Sequence, residues 1–311
     1  MIKKTLYFGN PAYLAYRLKQ LVVKKPDASG DMPDFGIPDA FNVVKTIPVE
    51  DIGIVILDHQ QITITQALMS ALLDNNSAII TCDNKHLPVG LFLPLTGNTI
   101  QNERFRSQLN SSLPLRKQLW QQTVEFKIRN QASLLFYSTG MRHNNMAVWA
   151  GSVKSGDSGN MEARAAAYYW KTLFPDNPGF IRGQYEDYPN NLLNYGYAIL
   201  RAVVARALVG SGLLPTIGIH HHNRYNAYCL ADDIMEPYRP FVDKVVIDLL
   251  KQGDGSDLDK ENKQKLLALP TEEVLLDGIR RPLMVAVSHT TASLAKCFSG
   301  ELRKVCYPTF E

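Results

Sequence analysis

Hydrophobic positions follow one pattern in the first third of the chain and another in the remainder. Up to residue 95 they form short runs rich in β-branched residues, separated by polar residues, Gly and Pro, and this pattern predicts strands. The runs lie at residues 6–8, 21–23, 43–44, 54–57, 78–81 and 89–93. Residues 65–74 instead repeat apolar side chains at helical spacing, and residues 26–38 predict a loop. The first third therefore predicts a compact β-rich domain with one helix.

After residue 97 the apolar side chains recur at helical spacing almost to the C-terminus. Residues 98–109 and 115–137 predict two helices, with Ser112 as the expected start of the second. A run of strands followed by a run of helices predicts an α+β fold with segregated layers and argues against alternating βαβ units. We place the boundary near residue 97, which gives a β-rich domain (1–97) and a helical domain (98–311).

The densest cluster of potential metal-ligating side chains lies in the helical part, between residues 218 and 240. A run of three histidines, residues 220–222, is followed by Asp232, Asp233 and Glu236. Helical spacing places either Asp233 or Asp232 on the same face as Glu236. Clustered carboxylates beside an apolar seam are costly unless a cation lies between them. Oxygen ligands with one imidazole indicate Mg²⁺ or Mn²⁺, although a solvated helix face and a histidine-rich loop explain the same pattern.

Two other polar residues stand on predicted helices. Glu162 lies in the first turn of an Ala-rich helix for which Asn160 is the expected N-cap. A first-turn glutamate also complements the helix dipole, so its position alone does not make it a ligand. Tyr195 lies in an apolar helix at residues 190–209, where its hydroxyl either satisfies the core or reaches a phosphate.

Composition and charge narrow the class of protein. The chain has 311 residues, of which 45% are hydrophobic and 20% charged, as in ordinary soluble proteins. It has no run of about 18 apolar residues and no signal-peptide core, and residues 252–257 predict a solvated loop. The cysteines are scattered at positions 82, 229, 297 and 306, which argues against a disulfide framework and a CxxC zinc site. We therefore expect a cytoplasmic protein. With a net charge of +3, nucleic acid would bind through a local basic patch.

Several segments together resemble one known family. They are MEARAAAYYW, which contains Glu162, NLLNYGYAILRAVVARALVGSGLLPTIGIHHHN and LADDIMEPYRPFVD. The likeness continues upstream in KIRNQASLL and TIPVEDIGIVILDHQQITITQALMSALLDNN, so it covers nearly the whole chain. The sequence resembles the CRISPR-associated spacer integrases, the Cas1 family, in the form found with type II systems.

The resemblance implies an N-terminal β-sandwich domain for dimerisation and DNA support, and an all-helical catalytic domain that binds Mg²⁺ or Mn²⁺. The family's glutamate falls on Glu162. Its histidine, the last residue of a G-x-x-H pattern, falls on His221, and the acid that ends L-A-x-D-x-M-E falls on Glu236, with Asp233 as a supporting acid. The choice is open by one position, because three neighbours are also suitable ligands, namely His220, His222 and Asp232.

The resemblance also implies an activity and partners. Such proteins act as homodimers with the small protein Cas2, and they join the 3′-hydroxyl of spacer DNA to a phosphodiester of the CRISPR repeat by metal-dependent transesterification. They also act as DNA endonucleases, and their substrate is double-stranded prespacer and repeat DNA. Residues 54–57 and 89–93 are candidates for subunit pairing. Candidates for phosphate contact are Lys154, Arg164, Tyr195, Arg224 and Arg239.

Three other classes compete with this interpretation. A nuclease that only cuts DNA would use the same ligands. A zinc hydrolase would use the histidine run, but the sequence has no HExxH motif. A DNA-binding scaffold without catalysis would not depend on Glu162 or Glu236.

Overall fold

A computed structural model describes residues 3–25, 43–174, 179–183, 188–252 and 258–310. These residues form two compact units that divide after Gly97. The loop predicted at residues 26–38 lies outside the described residues, as do residues 253–257 of the second predicted loop.

The first unit contains two four-stranded sheets. One has the order β1-β5-β7-β8, in which β1, β5 and β7 run parallel and β8 is antiparallel, and the other has the order β4-β3-β2-β6. The strands are β1 Lys4–Phe8, β2 Ala12–Arg17, β3 Gln20–Lys24, β4 Val43–Pro48, β5 Ile52–Leu57, β6 Ile62–Ile64, β7 Ala78–Cys82 and β8 Pro88–Phe92. Helix α1, Gln66–Asp74, begins after Thr65, whose hydroxyl accepts from the Leu68 amide.

Both sheets and α1 contribute to one apolar core in this unit. Leu14 and Leu21 come from one sheet, Val55 and Ile79 from the other, and Leu68 from α1. Strands β3 and β5 are buried at four and five consecutive positions, which agrees with their apolar, β-branched sequences. The sandwich-like β domain expected from the sequence is therefore confirmed.

The structure corrects one of the two segments that were expected to pair subunits. Strand β5 lies inside its sheet between β1 and β7, and Ile54, Val55 and Ile56 are buried. Residues 54–57 therefore form core and do not face a partner. Strand β8 lies at the edge of the same sheet and exposes Val89 and Phe92.

The second unit is mostly helical. Its helices are α2 Gln101–Leu109, α3 Leu113–Thr139, α4 Asn144–Gly151, α5 Met161–Leu173, α6 Asn190–Gly210, α7 Cys229–Met235, α8 Arg239–Lys251, α9 Lys260–Leu267 and α10 Leu283–Phe298. An antiparallel hairpin, β9 Glu273–Leu276 and β10 Ile279–Pro282, interrupts them. The expectation of an all-helical domain is thus corrected by one hairpin.

Two predicted helix starts have different outcomes. The Ser112 hydroxyl accepts from the Leu115 amide and caps α3 as predicted. Asn160, however, adopts a left-handed conformation (φ 52°) and makes no capping bond. The Asp157 carboxylate caps α5 instead, because it accepts from the amides of Met161 (2.9 Å) and Glu162 (3.0 Å).

Helix α6 lies at the centre of the helical unit. Among the described residues it alone is long and apolar enough to cross a membrane, with a mean hydropathy of 1.3 over its most apolar window. Of that window, 78% is buried inside the protein. At Gly196 a Cβ would lie 2.4 Å from Cγ1 of Val242, so a glycine is required for the close approach to α8.

Candidate functional site

One face of α3 forms the floor of the candidate site. Trp120, Lys127 and Asn130 are spaced by seven and three residues, which places them along one side of the helix. The Asn130 amide donates to the carbonyls of Pro237 (2.7 Å) and Pro308 (3.0 Å). The bond to Pro237 ties α3 to the 3₁₀ turn Glu236–Tyr238, which follows α7.

Lys127 joins two carboxylates that are distant in sequence. Its Nζ donates to Oε1 of Glu162 at 2.7 Å and lies 2.6 Å from Oε2 of Glu236. The Lys127 side chain is 12% exposed, that of Glu162 24% and that of Glu236 6%. Glu162 is presented by the first turn of α5 and Glu236 by the turn after α7, so the two acids face each other across one cation position.

The pKa values at this cluster reflect mutual compensation of buried charges. Burial alone would lower the pKa of Lys127, but Glu236 and then Glu162 outweigh burial and raise it. Burial would likewise raise the pKa of Glu236, yet Arg239 and Lys127 hold it below its usual value. Arg239 Nε lies 3.0 Å from Oε1 of Glu236. Glu236 is therefore held as a buried, ionised carboxylate between two cations.

Asp233 organises the histidine loop between α6 and α7. Its fully buried carboxylate accepts from the backbone amides of Ile219 (2.7 Å), His220 (2.9 Å) and His221 (3.2 Å). It also lies 2.5 Å from Nδ1 of His221, and this bond is the largest cause of the raised pKa of His221. Because an ionised carboxylate only accepts, Nδ1 carries the proton. In the neutral imidazole Nε2 then keeps its lone pair.

The three histidines have different surroundings. His220 stacks on Trp120 with ring centroids 4.1 Å apart and an interplanar angle of 1°, and its burial lowers its pKa. His222 is exposed, and its Nδ1 donates to the carbonyl of His220 at 2.6 Å. Of the three histidine rings, that of His221 alone is bonded to Asp233, and Glu236 and Glu162 both act on its pKa. The geometry therefore favours His221 as the functional histidine.

Of the two adjacent aspartates, Asp232 is bonded elsewhere. Its Oδ1 lies 2.7 Å from Nε of Arg201, and its Oδ2 accepts from the Asn226 amide at 2.7 Å. Shared helical spacing with Glu236 did not distinguish it from Asp233. The hydrogen-bond partners do distinguish the two, because Asp233 alone of them bonds to a histidine ring.

Three of the candidate phosphate contacts are exposed cations. Lys154 stands before a single 3₁₀ turn, Ser155–Asp157. The guanidinium of Arg164 lies 4.8 Å from the ring centroid of Trp149, and that of Arg224 lies 4.6 Å from the ring of Tyr225. Each cation is thus accessible to a polyanion from the surface of the helical unit.

The other two candidates for phosphate contact are less accessible than these three cations. Tyr195 is 1% exposed in α6 and lies in the core, so it does not reach a phosphate. The sequence of an apolar helix does not tell whether a polar side chain such as Tyr195 points into the core or to the surface, because this depends on how the helix packs. Arg239 is largely buried, pairs with Glu236 and stacks over Tyr197 at 4.8 Å. Its guanidinium is therefore engaged within the acid cluster.

The side chains at this site suit a divalent ion, but in this structure the ammonium of Lys127 lies between the two carboxylates. Two carboxylates and a neutral imidazole are the ligands that Mg²⁺ and Mn²⁺ accept, and Glu162, Glu236 and His221 provide them within one region. Among the residues that the structure describes, no three His, Cys, Asp or Glu side chains are already poised around a single ion. The acids converge instead on Nζ of Lys127.

Sequence reasoning overlooked Lys127 as a member of the cluster. An amine is not a metal ligand at neutral pH, so a search for ligand types passes over it. Its segment, KIRNQASLL, did carry part of the family resemblance. The capping role of Asp157, which fixes the first turn that bears Glu162, was also missed.

Sequence and structure comparisons with known proteins point to the same family. The sequence model of the family "CRISPR associated protein Cas1" matches residues 6–279. The CRISPR-associated endonuclease Cas1 of Neisseria meningitidis serogroup C (strain 8013) is 43% identical over 255 residues, which cover 81% of this chain and 78% of the relative.

Solved structures share the fold. A casposase bound to its integration product has a TM-score of 0.74 at 17% identity, over 98% of this chain and 92% of that chain. A Cas6-RT-Cas1–Cas2 complex has a TM-score of 0.72 at 19% identity, over 97% of this chain and 35% of that chain. The match across most of the sequence and the relative at 43% identity show that this chain belongs to the Cas1 family of CRISPR-associated proteins.

Proposed function

We propose that this protein is an integrase of CRISPR adaptation that acts in the cytoplasm with a small Cas2 partner and inserts spacer DNA into the CRISPR array. The observation that carries the proposal is the convergence of Glu162 and Glu236 on one cation position beside His221. The similar proteins support it, since one is a Cas1 endonuclease, one is bound to an integration product and one forms a complex with Cas2.

The proposed chemistry is a transesterification that needs no external energy source. The 3′-oxygen of the spacer strand bonds to a phosphorus of the repeat strand, and the bond from that phosphorus to the neighbouring 3′-oxygen breaks. The attacking hydroxyl loses its proton, and the leaving 3′-oxygen gains one. A bound Mg²⁺ or Mn²⁺ would supply Lewis acidity to the phosphate. Endonuclease activity follows at the same site when water replaces the attacking hydroxyl.

We assign the side chains of the site three roles, which are metal binding, orientation of a ligand and compensation of charge. Glu162, Glu236 and His221 would hold the ion, and Asp233 keeps the His221 ring oriented through Nδ1. Arg239 balances the buried charge of Glu236. The exposed cations are proposed to hold DNA phosphates without reading sequence, and they are Lys154, Arg164 and Arg224.

The β-rich unit is proposed to pair two copies of the chain and to support DNA. Its edge strand β8 exposes Val89 and Phe92, and an edge with apolar side chains is suited to pairing with a second chain. A nuclease that only cuts remains the second candidate function, because it would use the same three ligands.

A strand-transfer assay tests the proposal. Purified protein, Cas2, prespacer and repeat DNA are incubated with Mg²⁺ or Mn²⁺, and joined products are separated on a denaturing gel. We expect Glu236→Ala to reduce joining by about 10³-fold, because a group that stabilises transition-state charge is lost. DNA affinity should persist, since it comes mainly from cation–phosphate contacts.

The matched control is Glu261→Ala, which removes an exposed helical carboxylate paired with Lys265. It should join DNA like the wild type. Cleaved DNA without joined products would favour the nuclease, and full joining by the Glu236 variant would refute the assignment of the site.

A further inference from the structure

We propose that Lys127 is a resident counter-cation, which holds Glu162 and Glu236 together in the metal-free protein and leaves them when a divalent ion binds. This inference rests on the proposed metal site, and it assigns a role to a residue that is not itself a metal ligand. It predicts that the lysine competes with the metal.

The geometry requires competition between the two cations. One ammonium lies within 2.7 Å of both a Glu162 and a Glu236 oxygen, so these oxygens already point at a common position. A divalent ion held by these two carboxylates would take oxygen ligands at roughly 2.0–2.1 Å and would therefore need nearly the same position. A monovalent and a divalent cation repel strongly in a buried site, so Nζ has to withdraw.

Lys127 is built to move while its helix stays in place. The flanking α3 residues Val124 and Ile128 are fully buried, which anchors the backbone. The ammonium is carried by a flexible four-carbon stem, and its side chain keeps 12% of its surface exposed. Glu236, in contrast, keeps Arg239 as a second cationic partner when the lysine withdraws.

A purely structural ion pair would have the opposite consequence. If Lys127 kept the acids in position in both states, its removal would let them separate and would weaken metal binding. If Lys127 must be displaced, its removal leaves two facing carboxylates without a bridging cation and strengthens metal binding. The sign of the change in affinity therefore distinguishes the two roles.

The test compares Mn²⁺ binding by the full-length wild-type protein and Lys127→Met, measured by titration calorimetry at fixed pH without DNA. We expect the dissociation constant to fall about tenfold in the variant. The variant should also melt at a lower temperature without metal and show a larger Mn²⁺-induced rise, because ligand binding to the folded state adds stability.

Two variants serve as controls and one guards against misfolding. Lys244→Met removes another lysine that contacts a carboxylate at 2.7 Å, that of Asp248, and should leave Mn²⁺ affinity unchanged. Glu236→Ala should abolish binding, which locates the ion. Lys127→Gln keeps a polar side chain and replaces Lys127→Met if the latter does not fold.

Each outcome decides a separate point. Unchanged or weaker Mn²⁺ binding by the folded Lys127 variant overturns the counter-cation role but leaves the metal site intact. Absence of Mn²⁺ binding by the wild type overturns the metal site in the proposed function and the role of Lys127 with it.

Discussion

Two imidazole–carboxylate pairs, one in each unit, have nearly the same geometry. In the β-rich unit Nδ1 of His86 lies 2.8 Å from Oδ1 of Asp58, and in the helical unit Nδ1 of His221 lies 2.5 Å from Oδ1 of Asp233. In both pairs the aspartate side chain is fully buried and the histidine is about half exposed. Such a pair therefore does not by itself mark a functional site.

The two pairs differ in the residues that surround them. Asp58 accepts a second bond from the hydroxyl of Tyr7, whose pKa is raised by burial and by this carboxylate. His221 lies instead in the field of Glu236 and Glu162, which act on its pKa together with Asp233. Convergent acids around the imidazole distinguish a candidate metal site from a pair that locks a turn.

The largest contrast is expected when the two histidines are removed. His221→Ala should reduce strand transfer by about 10²–10³-fold, because it deletes a proposed ligand of the metal. His86→Ala should leave the rate near that of the wild type. Both variants are compared by initial rates in the strand-transfer assay, after circular dichroism has verified their folding. Equal losses in the two variants would remove the distinction between the pairs.

A smaller contrast is expected for the two aspartates. Asp233→Asn should lower metal affinity or strand transfer by about 10–100-fold, since a residue that orients a ligand is replaced. Asp58→Asn should leave both unaffected, although each variant is expected to lose about 1–3 kcal/mol of unfolding free energy as buried bonds are lost. Urea denaturation and Mn²⁺ titration measure the two effects separately. Loss of Mn²⁺ affinity in the Asp58 variant would contradict the comparison.

Periodicity along the sequence was sufficient for the arrangement of elements. Alternating and helical spacing separated the β-rich from the helical part near residue 97. It did not reveal the hairpin Glu273–Leu276 and Ile279–Pro282, because a short hairpin within helices adds little periodic signal. The sequence also predicted Asn160 as the N-cap of α5. In the structure Asp157 and Asn160 have left-handed backbone conformations, and the Asp157 carboxylate caps the helix instead.

The site itself depended on the family resemblance and not on spacing. Helical spacing treated Asp232 and Asp233 alike, and only the folded loop shows that Asp233 holds His221. Lys127 meets Glu162 and Glu236 through tertiary packing of three separate elements. No local pattern encodes such a meeting, so the ligand types were foreseeable but their bridging cation was not.

The smallest effect is expected for Asp243, another fully buried aspartate. Its carboxylate is hydrogen-bonded to two tyrosine hydroxyls, whereas Asp58 and Asp233 are each bonded to a histidine ring. Asp243 accepts from the hydroxyls of Tyr169 (2.6 Å) and Tyr197 (2.5 Å), and burial raises its pKa to about 6. These hydroxyls, Arg182 and Arg239 only partly oppose the effect of burial. At Asp243 burial therefore outweighs two hydroxyl donors and two nearby arginines and raises the pKa of the carboxyl group.

The sign of the resulting pH dependence follows from the raised pKa. In the unfolded chain the Asp243 carboxyl ionises near its ordinary pKa of 3.8, so the stability contributed by its protonated form is fully present below that pH and is lost as the pH rises through about 6. Between pH 4.5 and 7.5 this loss amounts to ~2 kcal/mol of unfolding free energy. Asp243→Asn does not titrate, so its unfolding free energy should fall by that much less over the same interval. Urea denaturation of both proteins at the two pH values measures the difference, and parallel pH dependences would show that Asp243 ionises at its ordinary pKa.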